Sequence, residues 1–246
     1  MSASFSPPDR KSPVERRRFL GGCAALTGAG SISALSAWAD SAPRFYERAA
    51  LVDALRDPLR AKSLKDETNY VFQFPFAGTP CFLLKLNHAV ESAATLKRED
   101  GSTYEWRGGV GPGRSIVAFS AICAHKLAYP TRDISFIRYQ RQPSPKSVAH
   151  AIHCCAEHSV YDPSAGARVV SGPAPEPLAA ILLDYDAASD TLAAVGTLGA
   201  EQFDAFFAKY DFKLATEYGQ GKARRPVGGT TVVKELTQYC RQTIQC

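Results

Sequence analysis

The chain lacks the signatures of a catalyst that works alone. It has no Gly-x-Ser-x-Gly elbow, no phosphate-binding loop and no dinucleotide fingerprint, which argues against acyl transfer and nucleotide chemistry. The glycine-rich "GGVGPG" at 108–113 runs into the strand-like "RSIVAFS" rather than a helix, so it reads as a turn. No internal repeat and no low-complexity tract is present, which excludes solenoids and disordered arrays. The longest apolar run, 19–35, is diluted by Gly, Ser and Ala and falls short of the about 20 strongly apolar residues a membrane span needs. A concentrated basic face is missing too. The formal charge is +5, but the first 39 residues hold five Lys or Arg against only Asp9 and Glu15, which leaves +2 for everything that follows. Nucleic acid is therefore not an expected partner.

What is present begins at the N-terminus. "ERRRFLGGCAALTGAGSISALSAWAD" combines a basic head, a mildly apolar stretch and Ala37-Trp38-Ala39, an A-x-A cleavage signal. Arg16-Arg17-Arg18-Phe19-Leu20 fits the twin-arginine export pattern. Residues 1–39 are expected to be a cleaved twin-arginine signal peptide and the mature protein periplasmic, with membrane association only through an uncleaved signal. Leu20-Gly21-Gly22-Cys23 sits too close to the arginines to act as a lipobox. Twin-arginine export moves folded proteins, often carrying cofactors, which makes Cys and His clusters in such a chain suspect metal ligands.

The remainder divides into three textures. Residues 40–67 place Ala, Leu and Val at three- and four-residue steps, which predicts an N-terminal helical segment. Residues 68–197 carry short apolar or alternating runs such as "CFLLKL", "SIVAFSAIC" and "AAILLDYD", broken by Gly, Pro, Asp or Ser. That pattern predicts an all-β domain of antiparallel sheets, with 91–110 as a polar excursion. Residues 198–246 read as a C-terminal helical extension, with a helix over "EQFDAFFAKY", a linker and a terminal helix.

Five histidines and seven cysteines are available. Two mixed pairs follow strand-like runs: Cys123-Ala-His125 and Cys155-Ala-Glu-His158, with twenty-nine residues between His125 and Cys155. Two thiolates and two imidazoles suit tetrahedral zinc and equally a [2Fe–2S] centre with Cys on one iron and His on the other. Common zinc fingers pair like with like, so mixed pairs lean to the second. Cys154 adjoins Cys155, and successive strand residues face opposite ways. The x-x spacing to His158 selects Cys155 and leaves Cys154 as a buried thiol. His150 and His153 read as structural, and Cys81 as core. Cys240 and Cys246 lie too far apart along a helix to pair with each other, although one of them could bridge elsewhere.

With Tyr161-Asp162-Pro163 and Gly172-Pro173-Ala174-Pro175 added, the ligand pattern resembles that of high-potential Rieske proteins, the iron–sulfur subunits of cytochrome bc complexes and the small subunits of arsenite oxidase. "PCFLLKL", "GGVGPGRSIVAFSAIC" and "LLDYDAASDTLAAVG" resemble the arsenite oxidase type, and the resemblance covers roughly 68–197. It implies a Rieske fold of stacked antiparallel sheets with a small cluster-binding subdomain, and a [2Fe–2S] cluster on Cys123, His125, Cys155 and His158. Ser159 and Tyr161 would donate hydrogen bonds to sulfur, while Gly172 and Pro173 would belong to a loop covering the cluster. The implied function is single-electron relay within or beside a larger oxidoreductase, to a larger redox subunit such as a molybdenum-containing one, or to a c-type cytochrome. Two alternatives stand: a quinol-oxidising subunit of a cytochrome bc complex, and a zinc-stabilised binding module. Two departures are visible. The loop-locking disulfide of many relatives is replaced by Ala128 and Glu157, and His158 is followed by a segment one residue short.

Overall fold

The computed structural model describes residues 42–90 and 93–246; the expected signal peptide, 1–39, lies outside them. The strands in chain order are β1 (Arg44–Val52), β2 (Tyr70–Gln73), β3 (Pro80–Lys85), β4 (Ala94–Lys97), β5 (Thr103–Trp106), β6 (Ile116–Ser120), β7 (Ile134–Ser135) and β8 (Ile137–Gln140). They continue with β9 (Ala151–Cys154), β10 (Ser159–Asp162), β11 (Arg168–Ser171), β12 (Ala180–Asp186) and β13 (Thr191–Leu198). A helix, α1 (Phe203–Tyr218), follows, then β14 (Gly229–Val232), β15 (Lys234–Glu235), the single-turn α2 (Leu236–Tyr239) and β16 (Gln242–Thr243). The expected all-β class is what the structure shows.

An eight-stranded sheet in the order β14-β1-β13-β12-β6-β3-β2-β15 forms the body. Its central strands are buried on both faces, which is why they read as nearly unbroken apolar runs. Strand alternation sorts their side chains: Phe82, Leu84, Val117 and Phe119 enter one core cluster, while Cys81, Leu83, Ile116 and Ala118 enter another. Each Val, Leu, Ile or Phe among them contributes about 1.5–3 kcal/mol on burial. A second sheet, β11-β10-β9-β8, packs its Tyr139, Ile152, Cys154 and Tyr161 into the first of these clusters. The polar excursion at 91–110 contains the β4–β5 hairpin, which lays Leu96, Tyr104 and Trp106 on the same core.

Two sequence expectations change. The helix expected over 40–67 does not form: Arg44–Val52 is strand β1, and only Ala61–Ser63 make a short 3-10 turn. β1 runs antiparallel to β13 and parallel to β14, so it makes ladder hydrogen bonds on both edges. That pairing outweighs the helical spacing of "RAALVDAL", and the strand ends in a turn where Asp53 accepts from the amides of Leu55 and Asp57. The C-terminal extension is also not an appendage of helices. α1 forms, but the terminal helix shrinks to one turn, and its flanks return as strands. β14 extends one edge of the large sheet, β15 the other, and β16 pairs with β7. Among the described residues no helix is long and apolar enough to cross a membrane.

Candidate metal centre

The β9–β10 hairpin carries most of the chemistry. Its register pairs Ser159 with Cys154, Val160 with His153 and Tyr161 with Ile152. Cross-strand partners share a face, so Cys154, Ser159 and Tyr161 look into the core, and His153 looks the other way.

On the core-facing side Cys154 meets Cys123. Cys123 follows β6 in a tight loop, in which the Leu127 amide donates to the Cys123 carbonyl at 2.9 Å and the Cys123 amide donates to the Ala128 carbonyl at 2.9 Å. The α1 helix supports this loop from behind. Tyr129 packs edge-on against Phe206 with centroids 4.8 Å apart, and the Lys209 ammonium donates to the Lys126 carbonyl. Both thiols are fully buried and hydrogen-bond each other. Each sulfur also receives backbone amides from its own loop, those of His125 and Lys126 at Cys123 and those of Ala156 and Glu157 at Cys154. The Tyr161 hydroxyl accepts from the Ala124 amide at 3.2 Å, so its proton is free for the Cys123 sulfur at 3.3 Å.

These donors have an electrostatic result. The Cys154 thiol, the Tyr161 hydroxyl and the loop amides together overcome burial and bring Cys123 down to about 5. Cys154 moves up, because its hydrogen bond to Cys123 and its burial both favour the protonated form. The pair gives up one proton readily and holds the second. Two further polar atoms here, His125 Nδ1 and Ser159 Oγ, are buried without a hydrogen-bond partner. Such an atom ordinarily costs about 1–3 kcal/mol, and two of them at a thiol pair mark a site built for a ligand.

The opposite face holds imidazoles. Gln140 Nε2 donates to His153 Nδ1 at 2.9 Å, which leaves the His153 proton on Nε2, 3.3 Å from His158 Nδ1. His153 is wholly buried, and burial, followed by the charges of His158 and Arg138, pushes it down to about 4. Cys155 lies in the hairpin turn, bonded through a disulfide to Cys246 of the C-terminal tail across a sequence separation of 91. The Cys246 sulfur is 3.3 Å from His153 Nδ1.

The sequence expectation for Cys155 is therefore corrected. Its sulfur is in a disulfide and is no thiolate ligand, whereas Cys154, read as an inert buried thiol, is the residue that meets Cys123. Counting back from His158 misdirected the choice. Counting across the hairpin from Tyr161 by strand alternation identifies Cys154. His158 adopts a left-handed backbone (φ 59°) and turns its ring to His153. Gly172 fits against that turn: a Cβ there would lie 2.3 Å from the His158 carbonyl and 2.6 Å from Ser159 Cα, so the loop approaches this closely only with glycine. Pro173 stands exposed beside it, and Glu157 is exposed at the tip. Cys246 is the cysteine that bridges elsewhere, and its partner had no local signal in the sequence.

No family model matches the chain. Among solved structures it is similar to the soluble domain of the Rieske protein II (soxF) from Sulfolobus acidocaldarius, at 28% identity over 63% of this chain and 82% of that one, with a TM-score of 0.44.

Proposed function

We propose that the chain is a Rieske-type iron–sulfur electron-transfer protein. The observation that carries this reading is the buried Cys123–Cys154 pair, reached by two separate loops, furnished with amide and hydroxyl donors and flanked by the unpaired His125 Nδ1 and Ser159 Oγ. Two thiolates and imidazole suit a [2Fe–2S] cluster, which Cys123, Cys154 and His125 would hold together with His158. When bound, such a centre accepts and returns one electron at a time. The protein's own part is to hold and tune it. The loop amides and the Tyr161 hydroxyl stabilise negative sulfur, and burial of both thiols keeps water away from them. Ser159 supplies a further hydroxyl on the same face. His158 is exposed and bonded to His153 in this structure; it would have to give up that partner to serve as the fourth donor.

In this reading the protein is exported by the twin-arginine route, works in the periplasm, and serves a larger redox subunit or a c-type cytochrome. The export motif and the arsenite-oxidase-like segments support that assignment. The test is spectroscopic. The purified full chain is expected to be reddish and, once reduced, to give the low-average-g EPR signal of a His-ligated cluster. A colourless protein that cannot be reconstituted with iron and sulfide refutes it. Cell fractionation tests the location.

A further inference from the structure

The second face of the β9–β10 hairpin holds a donor set of which the cluster would use only His158. His153, His158 and Cys246 bring ligand atoms within 4.8 Å of one another, and Cys155 is bonded to Cys246 at the same spot. We infer that His153, Cys155, His158 and Cys246 form a zinc site that exists only when the Cys155–Cys246 disulfide is reduced. This goes beyond the electron-transfer reading and shares only His158 with it.

The spacing suits the ion. Around tetrahedral zinc, with bonds of about 2.0–2.3 Å, neighbouring donors sit roughly 3.3–3.8 Å apart. One nitrogen of each ring can serve, and with the Cys246 sulfur these atoms lie within 4.8 Å of one another; the sulfur meets His153 at Nδ1, while His158 faces the opposite nitrogen, Nε2, at 3.3 Å. Breaking the disulfide lets the two sulfurs separate to that distance. Two thiolates and two imidazoles without a carboxylate favour zinc over calcium or magnesium. The scaffold persists without the disulfide. The tail is also held by β16 on β7, by the Ile244 amide donating to the Ser135 carbonyl at 2.9 Å, and by Arg138 Nε donating to the Ile244 carbonyl at 3.1 Å. Gln140 holds His153 at Nδ1; zinc would bind at Nε2, whose proton moves to Nδ1 as Gln140 turns its amide oxygen to accept it, while His158 stays open to solvent for entry.

The redox step balances. A dithiol reductant passes two electrons and two protons to the Cys155–Cys246 bond, giving two thiols and the reductant's own disulfide. Zinc then displaces both thiol protons, which are released to solvent. In a reducing compartment, where such a bond does not persist, zinc would hold the tail on the hairpin in its place. Because His158 turns to one face at a time, zinc and cluster exclude each other.

Cobalt(II) titration of the metal-free full chain, with and without a phosphine reductant, tests this. The C123S/C154S protein is expected to give a thiolate-to-cobalt charge-transfer band only after reduction, and the C155S/C246S protein to lose that reduction-dependent band. Wild-type protein is expected to take up one more zinc per chain reduced than oxidised by native mass spectrometry, a measurement that does not depend on either variant folding. Equal metal uptake by oxidised and reduced protein, or a reduction-dependent band that survives in C155S/C246S, overturns the proposal. Iron–sulfur reconstitution of C155S/C246S separates the two readings, since that variant keeps all four proposed cluster donors, Cys123, Cys154, His125 and His158.

Discussion

The two faces of the β9–β10 hairpin differ in almost every respect, although they are built from adjacent residues. The core-facing side presents two buried thiols, hydroxyls and inward amides, and lies against the apolar residues of the main sheet. The other presents two imidazoles and a disulfide, and is closed by the tail rather than by the body of the fold. Cys154 and Cys155 are neighbours, yet alternation gives one to each face. The difference teaches that a residue's chemistry in a hairpin is set by parity relative to its cross-strand partner, more than by distance along the chain to the next candidate ligand.

The sharpest way to break that comparison is to exchange the cysteines. Cys154→Ser is expected to abolish the visible chromophore and its EPR signal entirely, while Cys155→Ser retains both. The opposite result would return Cys155 to the cluster. Next in size is Gly172→Ala. With φ at 90° and a carbonyl 2.3 Å from the new Cβ, the variant is expected to lose about 2–4 kcal/mol of stability in denaturant melts. Loss of less than 0.5 kcal/mol would mean the loop does not press on the His158 turn.

A third test lies outside both faces. Glu67, with a 4% exposed side chain, accepts from the Tyr139 hydroxyl at 2.8 Å and from Arg141 Nε at 3.0 Å, and pairs with His150 just before β9. Burial pushes its carboxyl up, but these hydrogen bonds and the charges of His150 and Arg141 prevail and hold it below the usual 4.5. A lowered folded value means the stabilisation is complete above the unfolded value and is lost as pH falls through the folded one. Glu67→Gln is thus expected to cost roughly 1–3 kcal/mol at neutral pH. The gap to wild type should close as the pH drops below about 4.5. The chromophore should be unchanged. A gap that widens in acid would contradict the assignment.

The smallest effect is expected from Tyr161→Phe, which removes one hydroxyl from Cys123. On the order of 1 kcal/mol of preference for the reduced state should disappear, a fall of tens of millivolts in a one-electron couple. Redox titration would show it, and an unchanged midpoint would mean that the hydroxyl serves only the Ala124 amide.

Much of this was legible in the sequence, for local reasons. Short apolar runs such as "CFLLKL" became buried strands, because a period of two and a period of none are both readable without a partner. Cys123 and His125 stood out because a C-x-H pair after a strand is a strong signal, and the structure sets Cys123 against Cys154, whereas His158 turns to His153. The failures were failures of context. "RAALVDAL" has helical spacing and became β1, since its two neighbours, β13 and β14, lie far along the chain. Cys246 could be suspected of bridging, but Cys155 as its partner depends on the tail threading back beside β7. The choice of Cys154 needed a register that only the folded hairpin supplies.

The return of the tail also dictates an order of assembly. Closing a loop of the size between Cys155 and Cys246 is worth roughly 4–5 kcal/mol in the chain-entropy description. More telling is when it can happen. β14, β15 and β16 complete sheets whose other members are translated long before them. A ribosome must therefore release the whole stretch before the hairpin face is shut. Until then His153, Cys155 and His158 on that face lack the cover that the tail provides.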